Sequence, residues 1–122
     1  MQVMDVIAEI LKREGLSTLF CYPTTPVIEA AVGKGLKPVI CRQERVGVDM
    51  AAGYARTTNG KPPAAFAMQY GPGAENAFPG IASAFSDRQN KPLLFMRLLT
   101  TRRMLLSIDP LISVIQSFRK CT

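Results

Sequence analysis

The sequence predicts an α/β fold: a parallel open sheet with helices on both faces. Three observations lead there. Short apolar runs alternate with segments of helical period, the order of repeated β-α-β units. The apolar runs are continuous rather than alternating, as strands covered on both faces require. A chain of 122 residues with 48% hydrophobic and 20% charged side chains suits one ordered domain rather than a disordered polypeptide.

Each element has a local reason. Met4, Ile7, Ala8 and Leu11 fall at i, i+3, i+4 and i+7, which predicts a helix over residues 2–14 that Gly15 stops. Thr18–Tyr22 reads as a short strand closed by Pro23. A second helix is expected over residues 26–33, with Pro26 in the first turn, where a missing N–H costs nothing, and Gly33 and Gly35 at its end. Pro38–Cys41 is a second strand. From Glu44 to Arg56 the period is helical again, with Val48, Ala51, Ala52 and Ala55 forming a small-residue face. After the Asn59-Gly60 turn, Ala64–Met68 fits a buried strand. Gly71-Pro72-Gly73 leads into an Ala-rich helix over residues 74–86, and Pro92–Met96 is a fourth strand. Right-handed crossovers are expected, with ligands outside the carboxyl ends of the strands. The loops at those ends are 21–26, 42–45 and 69–75.

Composition narrows the chemistry. With no His, the chain has no Ser-His-Asp triad, no His-ligated zinc and no histidine general base. Cys21, Cys41 and Cys121 form neither a C-x-x-C pattern nor an even disulfide framework, which predicts reduced thiols in a cytoplasmic protein. Asp5, Glu9, Lys12 and Arg13 break the N-terminal apolar residues too early for a signal peptide, and no run approaches the ~20 apolar residues of a membrane span. The net charge of +6 is uneven. Residues 1–96 hold ten Lys/Arg and eight Asp/Glu, a net of +2, whereas residues 97–122 carry +4. That tail has no clean amphipathic stripe and no aromatic residue between Arg97, Arg102 and Arg103. Neither a membrane nor a nucleic acid is therefore expected as partner.

The loops leave alternatives open. Glu44 begins a helix just after a strand. It is either a first-turn carboxylate paired with Arg42 or Arg45, or a buried carboxyl facing a ligand. Gly71-Pro72-Gly73 is either a plain strand-to-helix turn or a place where a ligand meets the backbone. It is a poor dinucleotide site, since Asn76 stands in place of the third Gly and Lys91 in place of the acidic ribose partner.

Taken together, Tyr22-Pro23, Arg42-Gln43-Glu44, Gly53-Tyr54-Ala55-Arg56 nine residues after Glu44, and Gly71-Pro72-Gly73-Ala74-Glu75-Asn76 resemble a known family. It is the N-terminal, pyrimidine-binding domain of thiamine diphosphate enzymes, of the acetolactate synthase and 2-oxo acid decarboxylase kind. The resemblance spans about residues 3–96. It implies an incomplete three-layer pyrimidine-binding domain over residues 1–96, followed by a divergent basic tail over 97–122. It further implies that Glu44 is catalytic, hydrogen-bonding the aminopyrimidine ring so that the cofactor's own nitrogen can take a proton. It assigns Pro23, Gly71, Pro72, Gly73 and Asn76, with Glu44, to cofactor binding. Without His, proton transfer then runs through Glu44 and the cofactor.

The sequence departs from the family's pattern in places. Cys21 stands where Gly is usual, tolerable only away from positive φ, and Thr24-Thr25 replaces a Gly pair. No Gly-Asp-Gly motif is present, so Mg²⁺ and the diphosphate are expected on another domain. The expected partners are a second copy (a homo-oligomer) or a chain carrying that domain, with a small 2-oxo acid as substrate. Residues 97–107 do not match the family's loop and are read as an altered reading frame or coding remnant. The competing function is a truncated, non-catalytic remnant or interaction module that retains the fold.

Overall fold

The first helix forms because its apolar residues share one face: in α1 (Val3–Arg13), Ala8 and Leu11 are buried, with Met4 and Ile7 packed beside them. The computed structural model describes residues 3–23, 26–86 and, for the backbone alone, 93–97. After α1 come β1 (Thr18–Cys21), α2 (Val27–Gly33), β2 (Lys37–Ile40), α3 (Glu44–Thr57), β3 (Ala64–Met68), α4 (Pro72–Ser86) and β4 (Leu93–Arg97). Each expected element is present, with ends differing by a residue or two. The largest shift is at α4. It starts at Pro72 because a proline's fixed φ and missing N–H suit the first helical position. The loop after β3 is correspondingly shorter than the sequence suggests.

The four strands are all parallel, in the order β2-β1-β3-β4. From β1 the chain steps outward to β2, returns over β1 to β3, then continues to β4. Right-handed crossovers therefore put α2 on one face and α3 and α4 on the other. The two cores agree. On one side Leu11, Val27 and Ala31 pack on Leu19, Cys21, Ala65 and Ala67. On the other, Val48, Ala51, Ala55 and Ala77 pack on Phe20, Ala64, Phe66 and Met68. Alternate residues of β1 and β3 serve alternate faces, and all five residues of β3 are buried.

Edge strand β2 is more exposed and carries Pro38, which edge positions tolerate because a ladder donor is missing there. Cys21 and Cys41 are free, buried thiols in different cores. Among the described residues the one non-glycine at positive φ is Asn59. Cys21 therefore fills its strand position without the strain that a left-handed backbone would impose. Thr24, Thr25 and residues 98–122, including Cys121, lie outside the described residues. Among those described, no helix is long and apolar enough to cross a membrane.

Candidate functional site

The sheet reverses its winding between β1 and β3, the place where open α/β sheets bind ligands. Three connections meet at that end of the sheet. Tyr22 N–H donates to Ala67 O at 2.9 Å and Cys41 N–H to Cys21 O at 3.0 Å, so the pairing runs past the strand ends before the loops open. Pro23 follows β1 and is exposed.

Glu44 is the first residue of α3, entered from Gln43 in extended backbone. Burial of Val48, Ala51, Ala52 and Ala55 pins the helix to the sheet and carries Glu44 into the interior, where it is 2% exposed. Ion pairing with Arg42 or Arg45 is not what holds it. Among the described residues no salt bridge reaches Glu44, and both arginines are exposed. Its partner is Asn76, whose Nδ2 donates to Oε2 at 3.4 Å. Oε1 is buried with no hydrogen-bond partner. A buried carboxylate short of partners is costly, and such atoms in native structures call for an explanation.

Helix α4 shapes the other wall. Gly71, at φ +71°, makes the turn that lets Pro72 start the helix, and its carbonyl accepts from Ala74 N–H at 3.1 Å. Gly73 faces α3. A Cβ there would lie 2.9 Å from Glu44 Oε1 and 3.0 Å from Gln69 Cβ, so the bare Cα is what leaves room at that oxygen. Behind Glu44, burial pushes the Cys41 thiol pKa up. A backbone hydrogen bond at Gln43 opposes this, and the Glu44 charge adds to it.

The structure thus joins Glu44, Gly73 and Asn76. Gly71 and Pro72 form the turn that starts α4 beside them, and Pro23 shares the same end of the sheet. An open cleft of about 310 Å³ beside Asn76 is lined by Gln43, Arg45, Glu75, Asn76 and Pro79. Another, of about 280 Å³, lies between α1 and α2, and neither cleft is lined by the unpaired Glu44 oxygen. The orphaned oxygen, not cleft size, marks the site. Sequence reasoning picked out Asn76 without a contact. Its signal was the match of Gly71-Pro72-Gly73-Ala74-Glu75-Asn76 to the family's motif; the three-residue step from Gly73, which puts both on one side of α4, could have suggested the contact.

A doubly wound α/β domain with a buried acidic residue at its switch point is a small-molecule-binding domain. The chain belongs to the thiamine pyrophosphate enzyme family: residues 1–103 match the model of its N-terminal TPP binding domain. It is similar to acetolactate synthase, chloroplastic, of Arabidopsis thaliana, at 34% identity over 124 residues. That match covers 95% of this chain and 18% of the relative. The acetolactate synthase isozyme 2 large subunit of Escherichia coli K12 is 37% identical over 84 residues, 66% of this chain and 15% of that one. Two solved structures share the fold. Benzoylformate decarboxylase from Polynucleobacter necessarius aligns with TM-score 0.66 at 22% identity, over 88% of this chain and 20% of that one. A protein described as a thiamin diphosphate-dependent enzyme from Mycobacterium smegmatis aligns with TM-score 0.69 at 28% identity, over 90% and 21%. The chain spans about a fifth of the length of these relatives. It has a TPP-binding N-terminal domain of acetolactate synthase type, in a family that uses thiamine diphosphate.

Proposed function

We propose that this chain supplies the activating carboxylate to thiamine diphosphate, for 2-oxo acid decarboxylation and carboligation of acetolactate synthase type. One observation carries the reading: Glu44 Oε1 is buried, lies against Gly73 and lacks a hydrogen-bond partner. A protonated or proton-sharing ring nitrogen is the kind of group such an oxygen needs. When bound, the cofactor supplies the nucleophilic carbon and the electron sink. The rest falls to this chain. Glu44 holds or shares a proton at Oε1, and Gly73 lets a flat ring come close. Pro23, Gly71, Pro72 and Asn76 line the approach. Burial keeps competing water from the carboxylate.

The diphosphate and Mg²⁺ are held by a second domain, on a second copy or a partner chain. The exposed Val46, Met50 and Phe78 on α3 and α4 support a surface that another domain covers. The free Cys21 and Cys41 support a reducing compartment such as the cytoplasm. The same exposed side chains support the alternative, a non-catalytic module that keeps the fold. Co-expression with a partner carrying a Gly-Asp-Gly motif separates the two. The pair should decarboxylate a 2-oxo acid, with Glu44→Gln lowering kcat by about 10²–10⁴-fold. A module would be indifferent to that change. Tight binding of thiamine diphosphate and Mg²⁺ by the chain alone would contradict the need for a partner.

A further inference from the structure

We propose that Asn76 is a positioning residue: its side-chain amide fixes the Glu44 carboxylate through Oε2, so that Oε1 is the oxygen left for an aminopyrimidine ring nitrogen. The inference deepens the function proposed above and rests on it. A carboxylate has two equivalent oxygens, and rotation about its last torsion exchanges them. One donor on one side removes the equivalence. Asn76 Nδ2 lies 3.4 Å from Oε2, while Oε1 has no partner. Gly73, one helical turn earlier on α4, lies against Oε1, where a Cβ would sit 2.9 Å from that oxygen. The two residues therefore act from one helix on the two oxygens, and the close packing of α4 on α3 sets their alignment.

The residue type matters. An arginine in place of Asn76 could grip both oxygens at once and neutralise the carboxylate. An aspartate would repel it. A neutral amide orients one oxygen, keeps the charge and leaves the other oxygen free. Nothing else among the described residues hydrogen-bonds this side chain, so Asn76 alone decides which oxygen is presented.

Side-chain exchange in the native full-length chain tests the assignment. One Asn76 amide proton should exchange with solvent about fivefold more slowly than those of the exposed Asn59, and Glu44→Met should abolish the difference. In carbon-13 glutamate-labelled protein, Asn76→Leu keeps a similar size, removes the donor without adding a charge, and should move the Glu44 carboxyl resonance. Equal exchange at Asn76 and Asn59, or an unmoved Glu44 resonance in Asn76→Leu, overturns the assignment. The exchange measurement needs no variant to fold. The underlying function is probed separately with the free aminopyrimidine half of thiamine. If that compound leaves the native Glu44 resonance unmoved, the role of Glu44 fails while the exchange result still decides the role of Asn76.

Discussion

Glu44 is where use and stability conflict. A carboxyl that is 2% exposed, with one neutral donor at 3.4 Å, is under-solvated in the folded chain. Glu44→Met keeps an unbranched side chain of similar length and removes the unmet oxygen. It should stabilise the fold by about 1–3 kcal/mol, read as a higher urea midpoint, and eliminate cofactor activation. Gly73→Ala tests the space beside Oε1. A Cβ 2.9 Å from that oxygen must displace the carboxylate, at a cost of about 1–3 kcal/mol in urea unfolding and with loss of aminopyrimidine binding. Cys21 offers a pH test. Burial is the main cause that raises its thiol from the ordinary 9.0 to about 11, with Cys41 adding and a backbone hydrogen bond to Val39 opposing. The unfolded thiol ionises first, so this contribution is complete below pH 9 and is lost as pH rises toward 11. The loss has an upper bound of about 3 kcal/mol, and Cys21→Ala should flatten that part of a stability–pH curve. Of the site, Glu44 and the glycine loop were legible from their order along the chain. The bond between Glu44 and Asn76 was not. The two residues lie 32 positions apart, and only the packing of α4 on α3 joins them.

Helices α3 and α4 pack closely because small residues line the seam. Gly73, Ala77, Gly80 and Ala84 are the buried residues of α4. A Cβ on Gly80 would lie 2.9 Å from the Arg45 carbonyl oxygen and 2.9 Å from Val48 Cβ. Gly80→Ala should therefore push the helices apart and lower stability by about 1–3 kcal/mol. Val48→Ala in the same chain removes Cγ1, 3.0 Å from the added Cβ, but leaves the Val48 Cβ and the Arg45 carbonyl, so the double-mutant cycle in urea melts should show a favourable coupling smaller than the Gly80→Ala loss. At this scale the sequence was largely readable. Continuous apolar runs marked the strands, and glycines and prolines marked the stops. Element ends were less so. Lys37 joins β2 because it pairs with Thr18 across the sheet, a contact that no local pattern carries. Pro72 belongs to α4 because a helix can start on a proline, whereas the Gly-Pro-Gly run by itself reads as a turn.

Across the whole molecule, strand order was the hidden variable. Any right-handed winding of four strands satisfies the local patterns, and only tertiary pairing puts β1 beside β3 to create the switch point. The outer side of α3 and α4 leaves Val46 43%, Met50 37% and Phe78 67% exposed. Without the proposed second domain, the chain should self-associate as its concentration rises. Phe78→Asp should lower that tendency in sedimentation velocity without altering the far-ultraviolet circular dichroism. The sheet has one more consequence. Because β1 and β3 send alternate side chains to opposite faces, Ala65 and Ala67 lie in the core under α1 and α2, whereas Phe66 and Met68 lie in the core under α3, the helix that carries Glu44. The sheet therefore acts as an insulating wall between two sets of side chains. Substitutions on the α1–α2 side should change protein level alone, while those on the α3–α4 side should change ligand response as well. A saturation survey scored separately for protein level and for ligand response should divide along that wall, residue by alternate residue.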